Sequence, residues 1–179
     1  NGGKYSYMIR ALNVVGHSQF TEILIAHPMR VPDPPFNLTL VSGDEFIHLN
    51  WENPLYDGGS SISQIDLYKK IDEGQFEVFN TFYSLNAVEL NDTDVENGVE
   101  YFYYMTASNS VGPSVASNVV SAIPLTVPDP VIDLTMNSGD SFVELTWSKP
   151  LENGGTPIDG FILYRAVNDQ NLTLYEEFN

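Results

Sequence analysis

The sequence predicts an all-β protein built as a tandem array of β-sandwiches, and three observations support this prediction. The chain has 179 residues and repeats itself with a shift of 96 residues, since 127 − 31 = 96. Within one repeat, apolar residues alternate with polar ones, which is the period of a half-buried β-strand. Short turn signals such as Asp-Gly-Gly and Asn-Gly separate these segments, and no segment shows a helical period.

The internal repeat is read directly from matching residues. The Val-Pro-Asp-Pro segment at 31–34 recurs at 127–130, and Trp51 recurs as Trp147. Such self-similarity at a fixed period is the signature of a repeat architecture. Aligned without a gap, positions 31–83 and 127–179 share 20 identities in 53.

This shift predicts three parts of the chain: the C-terminal part of one repeat (1–30), a complete repeat (31–126) and the N-terminal part of a further repeat (127–179). Proline-rich segments at 28–35 and 124–130 join them. Prolines hold the backbone extended and remove hydrogen-bond donors. We therefore expect short, semi-rigid hinges between the repeats.

The complete repeat contains about seven short strands by this pattern. Two of them are defined by apolar residues at every second position: Ile47, Leu49 and Trp51 in one, and Tyr101, Tyr103, Met105 and Ala107 in the other. A third strand carries Ile65 and Leu67, and shorter strands are predicted at 76–78 and 88–90. About seven short strands at this spacing predict a two-sheet sandwich.

A combination of motifs then resembles a known family. The proline-rich start, the tryptophan closing the second strand and the Asn-Gly-x-x-Tyr-x-Tyr run within 97–112 resemble the fibronectin type III domain, an immunoglobulin-like sandwich. The positions of the proline, Gly-Gly and Asn-Gly motifs are similar to those in repeats of microbial surface proteins and muscle-type arrays. The resemblance implies that Tyr101 and Tyr5 are tyrosine-corner residues and that Trp51 and Trp147 are core residues.

Composition argues against several classes of partner. Seven Lys and Arg oppose 24 Asp and Glu, which gives a net charge of −17. Such a polyanion binds nucleic acid poorly, because phosphate recognition needs clustered cations. The sequence contains no cysteine, which excludes disulfides and thiolate metal sites. No apolar run reaches the roughly 18 residues of a membrane-spanning helix.

The sequence offers no catalytic, cofactor-binding or metal-binding residue set, so it predicts a protein that is not an enzyme and needs no cofactor. The three histidines, His17, His27 and His48, lack partners at metal-ligand or triad spacing. The Asp-Gly-Gly-Ser segment at 57–60 is interpreted as a turn between strands and not as a phosphate loop.

Carboxylates in two regions of the sequence are candidate calcium ligands. The segment Asn91-Asp92-Thr93-Asp94 resembles the start of a calcium loop, but the glycine and the distal glutamate of such a loop are missing. A solvated acidic turn is the favoured interpretation. The alternative is that Asp33 and Asp129, at the joints, bridge neighbouring domains through calcium.

Three Asn-x-Thr sequons mark candidate glycosylation sites at Asn37, Asn91 and Asn171. If used, they would make the chain a secreted or cell-surface glycoprotein. Asn91 is the favoured site because it is predicted to lie in a turn, whereas Asn37 lies in the first strand.

Aromatic residues also fall on the outer face of the predicted sheet. Phe102 and Tyr104 lie opposite the core-facing register of their strand, and Tyr68 does the same on its own strand. Together they would form an aromatic patch of the kind that marks interfaces. The alternative is that neighbouring side chains partly bury them.

The favoured function is a non-catalytic structural and interaction segment of an extracellular or cell-surface repeat protein, acting as a rod or spacer. One alternative is an accessory module of a secreted polysaccharide-degrading enzyme, and another is an intracellular muscle-type repeat array. The expected partners are neighbouring repeats or other copies of the chain, with the protein or glycan ligand left open.

A head-to-tail filament is a further expectation. The apolar face of Tyr5 and Tyr7 in the front part would be covered by the Trp147 sheet of another copy, and such a heterologous contact propagates. Frayed fragment ends are the alternative.

The acidic surface leads to a prediction about calcium. Because we expect a solvated surface without a specific site, millimolar calcium should raise the melting temperature only slightly, as a screening ion does. Thermal unfolding with calcium and with sodium at matched ionic strength checks this. A large rise that only calcium produces would contradict the prediction.

Overall fold

The computed structural model describes residues 2–168 and 170–179, and these residues form an all-β fold with no helix. The front part contains β1 (Tyr5–Tyr7), β2 (Leu12–Asn13), β3 (Gly16–His17) and β4 (Leu24–Ala26). The middle part contains β5 (Phe36–Gly43), β6 (Phe46–Glu52), β7 (Gln64–Ile71), β8 (Glu77–Phe82), β9 (Glu89–Asp92), β10 (Tyr101–Ser108) and β11 (Val120–Ala122). The rear part contains β12 (Ile132–Gly139), β13 (Phe142–Ser148), β14 (Phe161–Arg165) and β15 (Thr173–Phe178).

The seven strands β5–β11 form two sheets that enclose one core. One sheet has the order β5-β6-β9 and the other has the order β11-β10-β7-β8. Every pairing in both sheets is antiparallel. The predicted fold class, tandem fibronectin type III-like sandwiches, is confirmed, whereas the division at 30/31 and 126/127 stays a prediction.

Alternation along β6 and β10 builds this core. In β6, Ile47 and Leu49 are fully buried and Trp51 is 4% exposed, while the residues between them are half-buried. Tyr103 and Met105 are fully buried from the opposite sheet. Each large apolar side chain buried in this way contributes about 1.5–3 kcal/mol. The core is completed by Leu38, Ile65, Leu67, Val95, Tyr101 and Ala107.

The repeat extends to unusual backbone conformations. Non-glycine residues with positive φ are uncommon. Those among the described residues form three pairs that are 96 positions apart: Asn37 and Asp133, Glu45 and Ser141, Asp72 and Asn168. The first pair lies where both β5 and β12 shift register against their partner strands. The same local irregularities are therefore encoded in both copies.

The front and rear parts each contain only some of the strands of a sandwich. In the front part β1 pairs with β4, and Tyr7 and Ile9 are 62% and 71% exposed. In the rear part β12 pairs with β13, and β14 pairs with β15. Trp147 contacts Phe161 and Phe178 but is only half-buried, unlike Trp51.

Two predicted strands are displaced from their expected positions. The strand expected at 76–78 runs from Glu77 to Phe82, and the one expected at 88–90 runs from Glu89 to Asp92. Both extend further because they pair with longer neighbours, β7 and β6.

Replacing Trp51 with alanine should destabilise the middle sandwich by about 3–5 kcal/mol, because a buried aromatic leaves a cavity. Trp51 packs on Phe82 with ring centroids 5.1 Å apart. Urea unfolding followed by circular dichroism measures the change in midpoint. Trp51→Phe is the matched control and should cost less, since it keeps a ring and removes an indole N–H that has no hydrogen-bond partner among the described residues. A midpoint that moves by less than a tenth in Trp51→Ala would show that the core role is wrong.

Candidate functional site

The two joints between repeats are built from the same backbone hydrogen bonds. In each, a linker amide donates to a carbonyl in the Gly-Gly loop of the following repeat: Arg30 N to Gly58 O and Thr126 N to Gly154 O, both 2.9 Å. A second linker amide also donates to the following repeat, from Asp33 N to Tyr56 O (2.9 Å) and from Asp129 N to Glu152 O (3.1 Å). A linker carbonyl accepts from the preceding repeat, in the bonds from Gly2 N to Pro28 O (2.7 Å) and from Gly98 N to Pro124 O (2.9 Å). Each linker is therefore hydrogen-bonded to the repeats on both sides of it.

Side chains distinguish the first joint from the second. Arg30 Nη2 donates to Asp33 Oδ1 at 2.8 Å, and its guanidinium carbon lies 4.7 Å from the centre of the Tyr56 ring. The equivalent positions in the second joint are Thr126 and Glu152. Asp33, a candidate calcium ligand by its position in the sequence, is thus paired with a cation of its own chain.

Asn109 ties the first joint to the tip of the middle sandwich. Its Nδ2 atom donates to the carbonyl oxygens of Arg30 and Asp57, each at 2.8 Å. Its Oδ1 atom accepts from two amides of its own loop, as Asn13 Oδ1 does in the front part. One side chain therefore connects the incoming linker, the Gly-Gly loop and the loop after β10.

A buried polar cluster lies between the two sheets of the middle sandwich. Lys69 Nζ is 2.8 Å from Asp92 Oδ2 and donates to the Asp94 carbonyl at 2.6 Å. Tyr103 Oη donates to the same carboxylate oxygen at 2.7 Å. Asp92 is only 2% exposed and Lys69 8%. The expectation of a solvated acidic turn is wrong for Asp92, because its carboxylate points into the core and is neutralised there.

Two tyrosines border this cluster. Burial raises the pKa of Tyr103, and the hydrogen bond with Asp92 raises it further. Burial also raises the pKa of Tyr101, whose hydroxyl accepts from the Glu96 amide at 2.9 Å, the contact expected of a tyrosine corner. The folded-state pKa values of both tyrosines thus lie above the unfolded value of about 10. Their contribution to stability is therefore fully present below pH 10 and is lost as the pH rises above about 10, because the folded state disfavours the ionised phenol.

The alternation of buried positions along β7 predicts that Lys69 faces the core, although its polar side chain alone would not. Lys69 continues the inward register of Ile65 and Leu67, at every second residue of β7. Its ammonium lies 4.6 Å from the Phe79 ring centre and 4.8 Å from that of Tyr101. Aromatic faces stabilise a cation by cation–π attraction.

The predicted outer-face aromatics do come close together. Tyr68 and Tyr104 stack with ring centres 4.5 Å apart, and Phe76 meets Tyr104 edge-on at 4.7 Å. Phe102 lies under the Lys70 ammonium, which is 3.9 Å from its ring centre. Burial, and then Tyr68, raises the pKa of Tyr104. All four rings are half-buried, and their role as an interface stays a prediction.

All three sequon asparagines are exposed. Asn91 lies in β9 and not in the expected turn. Asn37 is more accessible than expected because it lies at the irregularity in β5, although its amide donates to Glu52 Oε1 at 2.7 Å. Asn171 lies between β14 and β15. Glycosylation stays a prediction.

The histidines are spread over the chain. His17 lies in β3, His27 lies near the first joint, and His48 Nε2 is 3.6 Å from Glu89 Oε2. Among residues 2–168 and 170–179, no three His, Asp or Glu side chains converge in a way that could hold a metal ion. None of these residues belongs to a helix long and apolar enough to cross a membrane.

Comparison with known proteins identifies relatives that are themselves repeat proteins. The chain is 30% identical over 156 residues to the titin homolog of Caenorhabditis elegans, which covers 80% of this chain and 1% of the relative. It is 31% identical over 137 residues to human slow-type myosin-binding protein C, and this match covers 74% of this chain and 12% of the relative. It is also 30% identical over 147 residues to a Kelch domain-containing protein of Sulfurisphaera tokodaii, and this match covers 80% of this chain and 19% of the relative.

The chain thus spans less than a fifth of each of these relatives. No family model matches it. A solved structure of titin domains A168–A170 superimposes with a TM-score of 0.48 at 21% identity, covering 66% of this chain and 40% of that one. Titin and myosin-binding protein C are repeat proteins of immunoglobulin-like and fibronectin type III domains, and the resemblance to a tandem array of this type is confirmed. The similarity supports a structural or interaction repeat module.

Asp92→Asn should lower the free energy of unfolding by about 3–5 kcal/mol, because it leaves the buried Lys69 without a counter-charge. Asparagine keeps the size of the side chain, so the effect reports on charge. Asp94→Asn is the matched control, since only its backbone carbonyl contacts Lys69, and it should change stability by less than about 0.5 kcal/mol. Urea unfolding checks both variants. Equal, small effects would show that the ion pair contributes little.

Proposed function

We propose that the chain is a non-catalytic, rod-like or spacer segment of a longer repeat array. The observation that carries the proposal is the length of the sequence similarity. The match to the titin homolog extends over 156 residues, more than one 96-residue repeat, so it crosses at least one joint. What the chain shares with that protein is an array of repeats and not a single sandwich.

The structure supplies two features that suit such a segment. The complete middle repeat buries its own core between two sheets, as a segment that folds as a unit would. The joints then connect consecutive repeats by backbone hydrogen bonds, which restrict bending more than a Gly/Ser tether does. The net charge of −17 opposes nonspecific association along such an array.

Two settings fit this role, and different observations favour each. The relatives named titin and myosin-binding protein C favour a muscle-type intracellular array. The exposed sequons at Asn37, Asn91 and Asn171 favour an extracellular or cell-surface glycoprotein. The accessory-module alternative requires a catalytic domain elsewhere in a longer protein.

Mechanical unfolding tests the proposed function. With the chain held between two reference domains of known strength, the middle sandwich should give one force peak. Its gain in contour length should be roughly 300 Å, since the strands from Phe36 to Ala122 extend at about 3.3–3.6 Å per residue. The variant Trp51→Ala should lower the force and leave the length gain unchanged. Extension of the parent chain without a force peak would contradict the proposed role as a rod or spacer.

A further inference from the structure

At the second joint, two glycines of consecutive repeats bring their backbones close together. Gly98, in the Asn-Gly turn at the base of the middle repeat, faces Gly155, in the Gly-Gly loop of the rear part. A Cβ atom placed on Gly98 would lie 2.9 Å from both the Cα and the carbonyl oxygen of Gly155. A Cβ atom placed on Gly155 would overlap the Gly98 amide nitrogen. Neither position can carry a side chain unless the joint opens.

The first joint has the same contact one repeat earlier. A Cβ atom on Gly2 would lie 3.1 Å from the Cα atom of Gly59, and these residues are 96 positions before Gly98 and Gly155. The adjacent glycine of each loop is also enclosed: a Cβ atom on Gly58 or Gly154 would overlap the carbonyl oxygen of Arg30 or Thr126. The contact is therefore a feature of the repeat.

Turn geometry alone does not account for these glycines. Gly98 and Gly155 have φ values of +87° and +90°, a region that favours glycine. Glu45 and Ser141 have φ values of +54° and +66°, within the left-handed region that side chains can adopt, so they are not equivalent to these glycines. The neighbouring repeat adds a second constraint at positions 98 and 155, because a Cβ atom at either position would meet its backbone.

We propose that the Asn-Gly turn at the base of one repeat is a docking surface for the Gly-Gly loop of the next repeat, and that this contact fixes the angle between them. The inference rests on the proposed function as a rod and adds the residues that set its geometry. With Gly98 and Gly155 in contact, the linker bonds from Thr126 and Asp129 to the same loop hold a single orientation. A methyl group on either glycine acts as a wedge, so the linker bonds must lengthen or break.

Distance measurements between spin labels test the proposal on the whole chain. The sequence has no cysteine, so Ser121→Cys and Glu144→Cys can carry one label each, on exposed positions of β11 and β13. We expect one narrow distance distribution across the joint of the parent chain. In Gly98→Ala, and independently in Gly155→Ala, the distribution should shift and roughly double in width.

Two controls accompany this measurement. Gly16→Ala, in β3 of the front part, adds a Cβ atom with no other atom within 4 Å, and it should leave the distribution across the second joint unchanged. A second label pair, Glu144→Cys with Glu176→Cys, reports whether the rear part keeps its own fold in each variant. A broad distribution in the parent, or an unchanged one in both alanine variants, would overturn the proposal. The absence of a force peak in mechanical unfolding would overturn the proposed function instead. The distances between labels do not depend on the mechanical strength of the chain, so the two failures are distinguishable.

Discussion

The structure depends on the packing of β6 against β10 across the middle sandwich. Ile47, Leu49 and Trp51 from one sheet meet Tyr103 and Met105 from the other, and all are fully or almost fully buried. Because side chains of a strand alternate between faces, burying this row fixes which residues face outward. The outer aromatic face and the polar cluster around Asp92 both follow from that register.

The fold was largely predictable because its signals are local and are repeated. Alternation marked the long strands, turn residues marked their ends, and the 96-residue shift gave each signal twice. Trp51 and Tyr101 were predicted as core and corner residues, and they occupy those positions. Strand ends were less predictable, since β8 and β9 are extended by pairing with neighbours that are distant in sequence.

The candidate sites were less predictable because they depend on which residues meet in space. Asp92 belongs to an acidic segment and was expected in solvent, but a lysine 23 positions earlier neutralises it inside the core. The prolines of the joints predict extended linkers. They do not predict that the linker amides bond to the next repeat, because those bonds join residues 23 or 28 positions apart.

The arrangement of the joint has a consequence for how such an array can grow. One 96-residue unit encodes both complementary halves, the Gly-Gly loop after its second strand and the Asn-Gly turn before its last two strands. A duplicated unit inserted between two existing ones therefore meets a matching partner on each side. Gene duplication could lengthen the array by whole repeats without any new interface having to evolve.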